Sequence, residues 1–194
     1  LFIVEAKSPG ISYTLLKTIA SDKQCEVVFD KVKVPKKNIL GAPGKGWLVI
    51  EKVLQRAAVA KCAEMLGGAQ QVLEMTVDYA KQRVQFGKPI GSFQAIQHHC
   101  ANMAIDVDGC RFITYQAAWM LSEGIPATKE VAMAKAWTSE AYRRVAALGH
   151  QVHGGIGFIK DNDMQLYYRR AKAAEITYGD ADFHREVVAR EIGL

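Results

Sequence analysis

Residues 46–83 read GWLVIEKVLQRAAVAKCAEMLGGAQQVLEMTVDYAKQR, and their spacing decides the fold. Apolar side chains recur at intervals of three and four: Ile50, Val53, Leu54, Ala57 and Ala58, then Met65, Leu66, Ala69, Val72 and Leu73. That interval marks one face of an α-helix and not the alternation of a strand. The run predicts one long helix of about ten turns at ~3.6 residues per turn. Gly67 and Gly68 lie inside it and lower its helix propensity. Their expected use is to let a neighbouring helix come close.

Upstream the period is different. LFIVEA (1–6) is a short β-type run, and SPG (8–10) is a turn signal. CEVVFDKVKV (25–34) alternates in part and is rich in valine, as suits a half-buried strand that Pro35 ends. GAPGKG (41–46) continues neither a strand nor a helix, so it marks the boundary. Residues 1–42 are therefore expected to be strand and turn, and residues 43–194 helical. Downstream of the long helix, FGKPIGSF (86–93) is the next break. A second helix is expected from Ser92, as N-cap, to Ser122, with Gly124 and Pro126 stopping it. Thr128 is the expected cap of a third helix to about Val152. A fourth starts at Asp161 or Asn162, and FHREVVAREI (183–192) forms a fifth. The fold class is mainly α: an antiparallel helix bundle preceded by a partial β-domain of a few strands.

Composition narrows the function classes. With 49% hydrophobic and 23% charged residues, the 194-residue chain has the mix of an ordered globular protein. The net charge of +5 is spread along the chain. That argues against nucleic acid as the main ligand and suits an anionic cofactor or substrate. Cys25, Cys62, Cys100 and Cys110 have no CxxC spacing and are read as reduced core thiols, with no metal site. No apolar run approaches the ~20 residues of a membrane span, and no signal peptide is evident. The chain opens at LFIVEAK without a Met, so it is expected to be part of a longer protein.

Three stretches carry chemistry. In RVQFGKPIGSFQAIQ (83–97), Arg83 supplies a fork that matches a pyrophosphate, Phe86 an aromatic face, and Gln94 an amide. Chemistry alone favours a plainer account, a helix-end arginine beside a loop aromatic packed into the core. In HQVHGGIGF (150–158), three glycines in four positions let a ligand approach the backbone, or simply cap a helix. His150 and His153 are read as structural helix-end histidines. His98 and His99 face different sides of one helix and are likewise structural.

Taken in order, RVQFGKPIGSFQAIQ, HQVHGGIGF, LYYRRAKAAEITYGD (166–180) and HREVVARE (184–191) resemble the acyl-CoA dehydrogenase family of flavoproteins. The resemblance covers the whole chain, as the end of the family's middle β-domain and its C-terminal helical domain. It implies FAD as cofactor, an acyl-CoA thioester as substrate and α,β-desaturation as reaction. It also implies a homotetramer or homodimer in which the Arg83 loop reaches a neighbouring subunit's FAD. An electron-transfer flavoprotein is the implied acceptor, and a bacterial cytoplasm is favoured over the mitochondrial matrix. By the same resemblance, Arg83, Phe86, Gln94, Gln151, Gly154, Gly155, Asp180 and Asp182 contact FAD. Arg56, Tyr178 and Gly179 lie near substrate. The loops around Arg83, Gln151 and Gly179 are expected to converge across subunits on one cleft.

One departure stands out. The family's base is the Glu of a Tyr-Glu-Gly-Thr loop, and here that position is Tyr178. The alternative base position, before the arginine of the long helix, is Gln55. An amide does not titrate, and a phenol has an ordinary pKa of about 10. Asp180, two residues on, is the candidate catalytic base within this chain, and Glu175 is expected to pair with an arginine instead. A base from outside the chain, altered flavin chemistry and a non-catalytic helical assembly subunit are the alternatives.

Overall fold

The computed structural model describes residues 1–194. The chain divides into two compact units, Leu1–Leu54 and Gln55–Leu194. In the first, β1 (Ile11–Leu16) pairs antiparallel with β2 (Gln24–Phe29), Ile11 opposite Phe29 and Leu16 opposite Gln24. Tyr13, Leu15, Val27, Val28 and Phe29 are all exposed, so the ribbon has no apolar partner within the unit. The expected strand at LFIVEA reduces to a single bridge between Phe2 and Ile39. β2 stops at Phe29, short of Pro35, where Lys31 turns the chain at a positive φ of 51°. Cys25 lies on this exposed ribbon and is not a core thiol.

Helix α1 (Gly46–Gln82) starts at the last glycine of GAPGKG and runs across the division between the units. The second unit continues with a small hairpin, β3 (Val84–Gln85) and β4 (Lys88–Pro89), and then four helices. These are α2 (Gln94–Ser122), α3 (Thr128–His153), α4 (Met164–Ile176) and α5 (Ala181–Glu191). Cross-helix contacts fix their directions. Gln55 bonds Thr128, and Tyr79 stacks on His153, so α1 and α3 run parallel. Asp106 of α2 meets Arg144 of α3, and Gly109 lies against Trp137, so α2 is antiparallel to α3 and hence to α1, which it touches through Arg111 and Gln70. Tyr142 meets Tyr167 and Lys135 meets Glu175, which sets α4 antiparallel to α3. Sequence neighbours alternate in direction, as short connections require.

Helix α3 is the centre. It packs on α2, α4 and α5, and its alanines and Val145 join the α1 stripe and Met103, Val107 and Cys110 of α2 in one core. Small residues set the spacing. A Cβ on Gly68 would fall 2.5 Å from the Tyr142 hydroxyl, so Gly68 does admit a neighbouring helix, whereas Gly67 faces open space. Burial pushes the Cys62 and Cys110 thiols up to about 12 and about 11, leaving them protonated and inert.

Two expected caps are corrected. Ser92 lies in a short 3₁₀ turn and donates to the Pro89 carbonyl, while uncapped Phe93 precedes α2. Thr128 is the first residue of α3 after uncapped Ala127, and its hydroxyl accepts from Gln55 instead. The fourth helix begins at Met164, whose N–H bonds the Asn162 side chain, so the Asn162 signal is the one the fold uses.

Candidate functional site

The residues singled out in the sequence gather at the two ends of α3. At its C-terminal end, Tyr79 of α1 stacks on His153 with ring centres 4.4 Å apart, and His153 Nδ1 bonds the Gly149 carbonyl 2.8 Å away. This contact joins the end of α1, which Arg83 follows, to the end of α3 that carries Gln151 and leads into Gly154 and Gly155. No hydrogen bond or ion pair holds the Arg83 guanidinium. Phe86 and Gly87 both have positive φ, 54° and 77°. Two such residues in succession make the geometry of a type I′ hairpin turn. The turn leaves the Phe86 ring 92% exposed, edge-on to Phe93. Phe86 is therefore not packed into the core, and the plainer account of this loop fails. Gln94 opens α2 nearby and is exposed, as is Gln151. Gly154 caps α3 at φ 60° and ψ −143°, a conformation that suits glycine. A Cβ at Gly154 or Gly155 would meet nothing within 4 Å. A free cation, an exposed aromatic face and bare backbone fit an anionic dinucleotide.

Behind this end, His150 stacks on Tyr168 at 4.8 Å and leans on Phe158 at 4.5 Å. They line an open groove of about 560 Å³ with Lys160, Gln165 and Arg169. Burial lowers the pKa of His150 and His153 below the usual histidine value. No three His, Cys, Asp or Glu side chains come together as a metal site.

The other end of α3 is built differently. Between α4 and α5, Tyr178 and Gly179 take φ of 61° and 94°. Lys135, fully buried in α3, donates to the carbonyls of Glu175 (3.0 Å) and Gly179 (2.8 Å) and to Ser139 Oγ (2.9 Å). Burial pushes the Lys135 ammonium down from its ordinary value, and Cys62, Asp180 and Glu175 oppose that. The Tyr178 side chain is 47% exposed. Asp180 is the N-cap of α5, its Oδ1 accepting from the Phe183 N–H at 2.9 Å. That bond satisfies one of the orphan amides of the helix start and complements its dipole. Asp182 pairs with Arg185, which also holds Glu140. Glu175 pairs with Lys172 and Arg143, as the sequence reading expected. Arg56 lies one residue past Gln55, whose amide reaches Thr128 at this same end, and its guanidinium is exposed and unpaired.

Within one chain the two groups stay apart. Lys135 and Gln151 both lie on α3, sixteen positions from each other. At a helical rise of ~1.5 Å per residue that is roughly 24 Å. Sequence reading missed Lys135 and His184. A signal for Lys135 existed: it interrupts a stripe of buried α3 residues, Val131, Ala132, Thr138, Ser139 and Tyr142.

Comparison with known proteins agrees with this architecture. The profile of the acyl-CoA dehydrogenase C-terminal domain matches residues 44–193. Acryloyl-CoA reductase (NADH) of Anaerotignum propionicum is 38% identical over 193 residues, 98% of this chain and 49% of its own length. The mitochondrial short/branched chain specific acyl-CoA dehydrogenase of Bos taurus is 36% identical over 172 residues, 89% of this chain and 40% of its own. The structure of butyryl-CoA dehydrogenase from Megasphaera elsdenii superposes with a TM-score of 0.95 at 34% identity, covering 98% of this chain and 51% of that one. The chain thus spans about half the length of the relatives it matches. It belongs to the acyl-CoA dehydrogenase family, whose C-terminal helical domain it carries.

Proposed function

We propose that this chain is the C-terminal half of an FAD-dependent oxidoreductase acting on the Cα–Cβ bond of an acyl-CoA thioester. The observation that carries the reading is the C-terminal end of α3, where Arg83 is unpaired, Phe86 stands out, and Gly154 and Gly155 leave their backbone bare. There Arg83 would hold the cofactor's pyrophosphate, Phe86 and Gln94 would line it, and Gln151, Gly154 and Gly155 would take its adenosine part. FAD, when bound, supplies the two-electron redox chemistry. At the other end, Arg56, Tyr178 and Gly179 would face the acyl group, and the start of α5 with Asp180 and Asp182 would lie by the cofactor. The ~24 Å between the ends within one chain supports a homotetramer or homodimer that joins one copy's end to another's. An electron-transfer flavoprotein is the proposed acceptor. Four unpaired thiols suit a reducing bacterial cytoplasm or mitochondrial matrix.

Asp180 is the loop carboxylate proposed for this role, yet its oxygen caps α5. That engagement favours a second reading of the same site, reduction of an enoyl-CoA. A phenol offers an O–H donor, so a tyrosine at the position of Tyr178 is of the kind that can give a proton to Cα. Two relatives named as reductases, acryloyl-CoA reductase (NADH) and 3-(aryl)acrylate reductase, support that direction.

The test is made on the complete enzyme. It should purify yellow. Bleaching by saturated acyl-CoAs supports dehydrogenation. Re-oxidation of the reduced enzyme by enoyl-CoAs, without bleaching, supports reduction. A yellow protein that responds to neither class would refute both readings and leave the helical assembly role. Full activity in Asp180→Asn would remove Asp180 as a base.

A further inference from the structure

The Tyr178–Gly179 turn is gripped by two donors from different helices. Lys135 of α3 directs its ammonium at the Gly179 carbonyl, the Glu175 carbonyl and Ser139 Oγ, which uses all three of its protons. His184 of α5 is buried, and its Nε2 lies 2.9 Å from the Tyr178 carbonyl. A carbonyl only accepts, so Nε2 carries the hydrogen. Nδ1 is then the bare nitrogen, which has no partner. Two consecutive carbonyls are thus both drawn to protein donors. Tyr178 holds a left-handed backbone, φ 61°, that a bulky residue adopts only where its surroundings over-determine it. Gly179 follows at φ 94°, and a Cβ there would fall 2.5 Å from the Phe183 ring and 3.0 Å from His184 Nε2. With the carbonyls held, the Tyr178 ring is left half-exposed.

We propose that Lys135 and His184 are positioning residues, a two-donor clamp that holds the strained 178–179 turn and so fixes where the Tyr178 side chain meets the acyl group. The placement of Tyr178 beside the acyl group rests on the function proposed above. The clamp itself stands on the hydrogen bonds. Neither residue touches a reacting atom. Asp180, the acidic neighbour in the loop, is occupied in capping α5, and Glu175 is occupied by Lys172 and Arg143.

The experiment compares His184→Leu, His184→Gln and Lys135→Met in the complete, FAD-loaded enzyme. His184→Gln keeps an amide donor toward the Tyr178 carbonyl, and His184→Leu removes it. Three readouts are taken: kcat and KM, the change in the visible flavin spectrum on binding a non-reactive CoA thioester, and amide hydrogen exchange across residues 176–184. His184→Leu should lower kcat about tenfold or more through misplacement, with KM little changed. It should also alter the ligand-induced spectrum and speed exchange in the loop. His184→Gln should stay close to the parent in all three, and Lys135→Met should exceed His184→Leu. Unchanged loop exchange and unchanged kcat in folded, flavin-loaded His184→Leu overturns the clamp. So does a kcat loss that His184→Gln fails to rescue. Should Lys135→Met not fold, the His184 pair still decides. Faster exchange in His184→Leu, in a parent that neither bleaches nor re-oxidises with any CoA ester, keeps the clamp and refutes the proposed function.

Discussion

The two ends of α3 use their polar groups in opposite ways. Around Lys135 the protein satisfies its own carbonyls: a buried ammonium, a buried imidazole and an aspartate cap occupy the Glu175–Phe183 segment. Around Gln151 the groups are left open, with Arg83 unpaired and two glycines facing space. A polar group held inside the fold contributes to shape, and one left free at the surface is available to a ligand. On the proposed function, the closed end is a fixed platform that presents Tyr178, and the open end is the side offered to the cofactor.

The sharpest break of this contrast is Lys135→Met. Two carbonyls and a hydroxyl lose a charged donor, so the second unit should lose about 3 kcal/mol, or roughly 10 °C in Tm, after relief of the buried charge offsets part of the loss. Thermal unfolding checks it, and a drop of a degree or less would mean the closed end is not held by this lysine. Next comes a pair of identical substitutions six residues apart. In Gly149→Ala the new methyl falls 2.6 Å from Val72 Cγ1 and 3.1 Å from the Met164 sulfur. Overpacking of that kind should cost about 2 kcal/mol. Gly155→Ala places its methyl in open space. Without cofactor its stability should stay within about 0.5 kcal/mol of the parent. Both glycines lie at the Gln151 end, so equal melting shifts would mean that the backbone there is no barer than the packed face of α3 beside it.

Arg83→Ala should leave apoprotein stability unchanged and weaken flavin retention about tenfold, the loss of one charge-assisted contact. Equilibrium dialysis against FAD measures it, and undiminished retention would take Arg83 out of the cofactor site. The mildest effect is on pH. Burial lowers the pKa of His150, His153 and His184 in the folded state, with the Tyr178 carbonyl bond opposing it at His184 and the Gly149 bond at His153. Below about 6.5, unfolded histidines take up protons that the folded ones resist, so stability is full above that pH and falls as pH drops through it. Tm measured between pH 7.5 and 5 should decline on the acid side. His184→Gln should flatten the decline, and an unaltered slope would mean His184 does not contribute.

The helices were legible because a 3.6-residue stripe is a local property, readable wherever one face is buried. Turn signals such as GAPGKG and HGGIGF worked for the same reason. Ser92 and Thr128 were misread as caps because a hydroxyl can both donate and accept, and the choice depended on the Pro89 carbonyl, which takes the Ser92 hydrogen, and on the distant Gln55 amide, which donates to Thr128. Asp180 carried a cap signal, an aspartate just before a helical run, which its family position obscured.

The sequence by itself determined a mainly helical chain, its breaks, and its membership of a flavoprotein family, because periodicity and motif order survive without coordinates. Only the tertiary structure decided that the motif residues divide between the ends of α3, that Phe86 is exposed, and that Lys135 and His184 hold the Tyr178 turn. Those facts depend on contacts between residues far apart in the chain, as Tyr79 and His153 are. No local pattern encodes such pairings, since they form only when separate helices bury their apolar faces against one another.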